Sequence, residues 1–342
     1  MTGSSKLRIV FGRLLQAVPS VIGIVIVTFL LTRALPGDPA VYFAGPAADA
    51  QSIQEIRVSL GLDKSKPEQF LIYVADLLQG DLGHSISTGF PVSEELLRRL
   101  PASLELTLVA LIFSLGVAIP LGILAATRPN SWIDHLCRLI VTAGVSLPVF
   151  FTGLFLVYVF YYLFGLAPAP LGRLDFIYLS PPEVTGFYSI DALLAGDFET
   201  FGAALAQMVL PAVTLGVFTL APIARMTRGA MLQVLGSDFV RTARASGLSR
   251  STVLYTYAFR NALLPILTTL GMVFSFMLGS NVLVEKVFAW PGIGSYAIEA
   301  LIASDYVAVQ GFVLAMALLY VALNLTIDIL YTVVDPRVGM ED

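Results

Sequence analysis

LELTLVALIFSLGVAIPLGILAA, residues 104–126, is almost wholly apolar. As a helix rising about 1.5 Å per residue it reaches roughly 35 Å, enough to cross a hydrocarbon core of about 30 Å. Five further stretches are long and apolar enough for the same role: Ile9–Leu31, Leu136–Phe164, Leu205–Ala224, Leu263–Leu283 and Val309–Val334. The third span in chain order, Leu136–Phe164, is long enough to tilt or to kink at Pro148. The spans are continuous rather than alternating ten-residue segments, so helices and not a β-barrel are expected. The first is too long for the apolar core of a cleavable signal peptide and is read as an uncleaved span. Composition agrees: 57% of the 342 residues are hydrophobic and 13% charged, which excludes an ordinary water-soluble domain. The fold class expected is an all-α polytopic membrane protein with about six transmembrane helices.

Orientation follows from the cationic residues, which stay on the cytoplasmic side. Lys6, Arg8 and Arg13 precede the first span, Arg128 follows the second, and Arg225, Arg228, Arg241, Arg244, Arg250 and Arg260 follow the fourth. Segments 33–103, 165–204 and 285–308 carry most of the acids. Both termini are thus expected inside. The chain divides on this reading into residues 1–32 (N-terminus and first span), 33–103 (an outer helical subdomain) and 104–342 (the remaining spans, with a cytoplasmic loop at 225–262). Amphipathic stretches at Ser52–Leu60 and Glu68–Leu78 are the expected helices of the outer subdomain. The connection 165–204, rich in proline and acids, is expected to cap a pathway or touch a partner. One cysteine and two histidines exclude a disulfide framework and a Cys/His metal cluster.

In the loop at 225–262, Asp238 can cap a short helix from Phe239 to Ser246, Gly247 can adopt the left-handed conformation that stops it, and Ser249 can cap a second helix from Arg250 to Ala262. The small residues Ala243, Ala245, Ser246 and Gly247, ringed by Arg241, Arg244 and Arg250, suit a helix seated in a partner's groove. They suit equally a basic helix lying on anionic lipid.

The sequence DFVRTARASGLSRSTVLYTYAFRNALLP, residues 238–265, resembles the cytoplasmic loop of binding-protein-dependent ABC importer permeases of the dipeptide/oligopeptide/nickel branch. So do LTRALPGDPA (31–40), LLQGDLGHSISTGFPVSEELLRRLPASLELTL (77–108), LPAVTLG (210–216), VFAWPGIG (287–294) and NLTIDILYTVVDPR (324–337), in order along nearly the whole chain. The segment 171–204 is longer than in many relatives. The resemblance implies a type I ABC importer permease fold in a bacterial inner membrane. It makes Asp238, Arg241, Thr242, Ala243, Arg244, Ala245, Ser246, Gly247 and Leu248 the coupling helix that docks on an ATPase. It also implies a second homologous permease, two ABC ATPase subunits and an extracytoplasmic solute-binding protein as partners. Membrane lipid surrounds the chain, and no nucleic acid is involved. The chain itself binds no cofactor; ATP and Mg sit on the ATPase partners. None of the four lysines, Lys6, Lys64, Lys66 and Lys286, follows a glycine as a phosphate-binding loop requires, so the chain is not expected to be an enzyme.

In the last span Asn324 and Asp328 share a helix face at i and i+4. Either they line a pathway or gate, or Asp328 is a buried acid satisfied by protein; its place near the cytoplasmic end favours the second. Pro291, Gly292 and Gly294 break the outer end of the fifth span, as a gate element or a plain turn. Glu285 is expected at the membrane interface. The competing function, a stand-alone secondary transporter or channel, calls for internal repeats and charges at the bilayer midplane, and neither is evident. An intramembrane enzyme lacks its motifs.

Overall fold

The computed structural model describes residues 3–34, 39–45, 48–59 and 61–334, and among them there are helices but no strands beyond one isolated bridge between His84 and Pro91. In chain order the helices are α1 (Gly3–Ala34), α2 (Pro39–Ala44), α3 (Ala50–Ser59), α4 (Lys66–Leu78), α5 (Val92–Thr127), α6 (Trp132–Val145), α7 (Val149–Leu156), α8 (Tyr188–Leu194), α9 (Phe198–Leu235), α10 (Asp238–Ala245), α11 (Arg260–Val287), α12 (Ile293–Ile302) and α13 (Tyr306–Val334). Two π-turned segments, Val157–Leu163 and Thr252–Phe259, extend α7 and lead into α11. The chain forms two compact units, Met1–Leu100 with Ser295–Ala322, and Pro101–Gly294 with Leu323–Asp342.

Among the described residues four helical stretches are long and apolar enough to cross a bilayer, and the bent pair α6 and α7 makes a fifth. The expected count of six is not reached among them: the described apolar part of α1, Val18–Leu30, is shorter. The third span is not a tilted rod but two helices at 98°. Its cause is Pro148, which lacks an N–H and keeps Leu147 out of helical geometry. The fourth span continues past Ala224 to Leu235, so Arg225 and Arg228 lie in helix rather than loop. Their charges are absorbed locally, Arg225 Nε donating to the Ala221 carbonyl (3.2 Å) and Arg228 reaching Asp134. The expected Arg250–Ala262 helix likewise runs without a break into the fifth span, because neither glycine nor proline lies between Thr252 and Leu264.

In the first unit α4 opens on a capping box, the Glu68 carboxylate accepting from both the N–H (3.0 Å) and the hydroxyl (2.7 Å) of Ser65. Helix α4 packs on α1 through Phe29, whose ring lies 5.2 Å from Phe70 and 5.9 Å from Tyr73. Buried Asp305 ties residues 85–87 to the head of α13: its Oδ2 accepts from the hydroxyls of Ser85 (2.6 Å) and Ser87 (3.0 Å), its Oδ1 from the Ala308 N–H (3.0 Å).

The second unit centres on α5, α9 and α11, whose facing positions, among them Leu106, Met208, Leu215, Ile223 and Met277, make one apolar core. Three buried ionic or polar ties frame it. Asp134 of α6, fully buried, accepts from Arg228 of α9 at 2.8 and 2.7 Å in a two-pronged pair. Glu105 of α5 holds the connection after α7, accepting from Arg173 (2.6 Å), the Ser189 N–H (2.8 Å) and the Ser189 hydroxyl (2.5 Å). Arg173 also donates to the Gly186 carbonyl (2.7 Å) and stacks 3.5 Å above the Tyr188 ring. In the same connection burial pushes the Asp191 carboxyl upward. The Thr185 hydroxyl and the N–H groups of Thr185, Val184 and Gly186 outweigh that and hold it below its ordinary value.

Removing one partner of a buried pair strands the other charge, whereas removing both costs little. Arg228→Ala is therefore expected to destabilise the chain by about 3 kcal/mol, and the double change Arg228→Met with Asp134→Leu to recover most of that. Thermal unfolding in detergent measures both; equal midpoints for the single and double variants would contradict the pairing.

Candidate functional site

The segment between α9 and α11 is short, and its sequence explains why it is ordered. Gly236 ends α9, and Ser237 occupies the N-cap of α10 with extended backbone. Asp238 was expected as the cap; instead it lies in the first turn, where a carboxylate meets the positive end of the helix dipole. The Ser237 hydroxyl donates back to the Val234 carbonyl at 2.5 Å. At the far end the Leu248 N–H bonds the Ala243 carbonyl (3.4 Å) and the Gly247 N–H that of Arg244 (3.0 Å), a Schellman stop with Gly247 at φ 75°. The chain then turns at Ser249, whose hydroxyl accepts from the Thr252 N–H (3.2 Å).

Only one face of α10 is buried. Val240 and Ala243 pack with Val253 against Val234 and Leu235, fixing α10 to the end of α9 and to the π-turned segment that leads into α11. Ala243, expected at a partner's surface, is thus an anchor within its own chain. The other face exposes Phe239, Arg241, Thr242, Arg244, Ala245, Ser246, Gly247 and Leu248. Arg241 meets Asp238 at 3.3 Å, but both are exposed and such pairs contribute little. The hydroxyls of Thr242 and Ser246 fold back onto the carbonyls of Asp238 and Thr242. What remains outward is a small, cationic and partly apolar helix surface.

The break at Pro291–Gly294 is built around Glu285. Glu285, expected at the outer end of the fifth span near the membrane interface, is fully buried within the chain. Its Oε1 accepts from the Ser103 hydroxyl (2.5 Å) and from Asn281 Nδ2 (2.9 Å). Ser103 Oγ in turn accepts from the Ile293 N–H (2.9 Å), and Trp290 Nε1 donates to the Ala102 carbonyl (2.9 Å). Helix α5, helix α11 and the turn into α12 therefore meet at one carboxylate. The glycines permit it: a Cβ on Gly292 would fall on the Glu285 carboxyl itself, and one on Gly294 would lie 2.6 Å from Val282 Cα. The arrangement is a clamp on the turn. Asn281 and Glu285 stand at i and i+4, the same spacing that singled out Asn324 and Asp328, a signal by which this cluster, unremarked in the sequence, could have been found.

Asn324 and Asp328 lie elsewhere. Asn324 is half-buried in α13; the side chain of Asp328 lies outside the described residues. Their turn of helix reaches α11 where Ile327 covers Gly271, fourteen residues (285 − 271) or about 21 Å along the helix from Glu285. The structure does not bring the two sets of proposed gate residues together.

Long apolar helices that satisfy their buried acids from within the protein, with a short cationic helix held at one end, make a polytopic membrane protein. The sequence model of the binding-protein-dependent transport system inner membrane component matches residues 118–340, and that of its N-terminal region matches residues 6–107. The chain belongs to this family, the permease subunits of binding-protein-dependent ABC importers, and is a multi-pass inner-membrane protein. It is 46% identical over 320 residues to the probable D,D-dipeptide transport system permease protein of Escherichia coli K12, covering 93% of this chain and 94% of that one. It is 40% identical over 338 residues to the dipeptide transport system permease protein of the same strain, covering 97% and 98%. Against the di/tripeptide transport system permease protein of Pseudomonas aeruginosa UCBPP-PA14 it is 42% identical over 333 residues, covering 97% and 98%.

No atom lies within 4 Å of a Cβ built on Gly247, so its requirement is conformational. A β-branched residue there resists positive φ, while asparagine tolerates it. Gly247→Val is expected to reduce ATP-driven uptake severalfold and Gly247→Asn to retain most of it; equal uptake by both sinks the requirement. At the other end, Gly292→Ala forces the Glu285 carboxyl aside and is expected to cost about 2 kcal/mol. Gly202→Ala, where a Cβ meets nothing, serves as control. Identical unfolding midpoints for these two variants would remove the clamp from the account.

Proposed function

We propose that this chain forms one half of the path by which short peptides enter a bacterial cell, powered by ATP that other subunits hydrolyse. The observation that carries the substrate class is the full-length similarity to three permeases named for dipeptide or di/tripeptide transport. A second homologous permease completes the path, two ATPase subunits bind ATP and Mg, and an extracytoplasmic binding protein delivers the peptide. Both termini lie in the cytoplasm, consistent with the distribution of Lys and Arg.

The exposed face of α10 is the part of this chain that an ATPase would grip. Because Val240 and Ala243 are packed between the end of α9 and the π-turned segment that leads into α11, displacement of α10 carries both helices with it. Closure of the ATPases on ATP would in this way bias the spans between inward-open and outward-open arrangements. The lack of a Gly-Lys-[Ser/Thr] sequence supports hydrolysis elsewhere.

Purification of the chain from its native membrane in mild detergent is expected to bring down a second permease and ATPase subunits, with ATPase activity that rises on addition of the binding protein. A chain that stays alone and moves solute into liposomes without ATP would favour the stand-alone transporter instead.

A further inference from the structure

Helices α6 and α9 leave a shallow cleft between them, lined by Leu121 and Ala125 of α5, Arg138 and Val141 of α6, and Arg225 and Arg228 of α9. Three guanidiniums thus meet at an otherwise apolar groove. Among the described residues the one carboxylate that pairs with any of them is Asp134, and Arg228 already holds both of its oxygens, at 2.8 and 2.7 Å. Arg138 Nε is left 3.6 Å from Asp134, and its Nη2 meets the His135 ring at 2.8 Å. Arg225 Nε donates to the Ala221 carbonyl of its own helix, and its side chain is exposed. The cleft therefore carries positive charge in excess, and an anion is the ligand it suits.

A soluble anion and a lipid phosphate both answer that charge, and the surroundings choose the lipid. Leu136, Leu139 and Ile140 of α6 are exposed beside Arg138, Leu139 by 67%, on a helix that belongs to a membrane span. Trp132, 72% exposed, opens the same helix. Tryptophan at the head of an apolar helix marks the level of the lipid headgroups. Basic clefts between spans on the cytoplasmic side take the headgroups of anionic phospholipids. Such a lipid brings its phosphate to the arginines and its acyl chains to the leucines together. A soluble anion leaves the leucines uncovered.

We infer that the cleft between α6 and α9 binds the phosphate of an anionic phospholipid, with Arg138 and Arg225 as donors and the exposed face of α6 against the chains. Arg228 stays on Asp134 and holds the two helices that form the cleft. That the lipid comes from the cytoplasmic leaflet rests on the orientation proposed above; the site itself depends on membrane embedding and not on the transported solute. In the test, the full chain in nanodiscs of mixed phosphatidylglycerol and phosphatidylcholine is moved into mild detergent and washed, and the lipid that stays bound is measured by mass spectrometry. Wild type is expected to retain phosphatidylglycerol severalfold over phosphatidylcholine, which has the same phosphate but no net charge. Arg138→Gln with Arg225→Gln is expected to lose most of that preference. Arg138→Lys with Arg225→Lys keeps part of it, since lysine meets phosphate as a point charge without paired donors. Arg241→Gln with Arg244→Gln on α10 removes the same charge elsewhere and is expected to retain lipid as wild type does.

Equal retention of the two lipids by wild type overturns the proposal, and this comparison needs no variant to fold. So does equal loss from the α10 variant, which would make the preference a matter of overall charge. Displacement of the lipid by glycerol phosphate in the wash would assign the cleft to a soluble anion. Loss of the lipid when the chain is purified with a second permease and ATPase subunits would assign it to a carboxylate of a partner. Each of these overturns the lipid site. None of them bears on ATP-driven uptake, so failure of the site and failure of the importer reading are told apart.

Discussion

A carboxylate carried into a membrane on a spanning helix has no water to turn to, so donors from the same protein must meet it. In the second unit this constraint determines which elements touch. Glu105 on α5 is met by Arg173 and Ser189 and fixes the long connection to the core; Asp134 on α6 is met by Arg228 and fixes α6 to α9. Glu285 on α11 is met by Ser103 and Asn281 and fixes the turn into α12. Apolar packing among α5, α9 and α11 supplies most of the contact area, but lipid is as apolar as leucine and does not choose among pairings. Choice of neighbour falls to the acids. In the first unit a buried acid outside the long helices, Asp305, is likewise met from within the protein, by Ser85 and Ser87.

The α10 segment and the clamped turn are the two places in the second unit where a few side chains fix the position of longer elements. At one a cationic helix face is left exposed while two buried residues, Val240 and Ala243, tie it to the end of α9 and to the π-turned segment before α11. At the other a single carboxylate holds three backbone elements in register. Neither is a catalytic arrangement. Each converts a local contact into the position of a whole helix.

Much of this could be read in the sequence. Apolar run length located the long helices, because no other property distinguishes a span so directly. Gly247 announced a helix stop that the structure realises at positive φ, since only glycine takes that conformation without strain. The boundaries were less legible. Arg225 and Arg228 looked like the start of a loop because charge normally ends a span; Arg225 is met by the Ala221 carbonyl of its own helix, but the accommodation of Arg228 depends on Asp134, ninety-four residues away. The burial of Glu285 was equally hidden, because Ser103, which meets it, lies 182 residues away. Single-sequence reading sees charge but not its partner. The sharp bend after Val145 was foreshadowed by Pro148, but its size, 98°, was not.

Helix α9 runs unbroken through Pro211 and Pro222. Each proline removes one hydrogen bond from the ladder and leaves a soft place in the rod. The two are eleven residues apart (222 − 211), close to three full turns, so they stand on the same side of the helix. Flexure at one adds to flexure at the other instead of cancelling it. The helix behaves as a bow and not as a crank, and its two tips swing toward a common side when it bends.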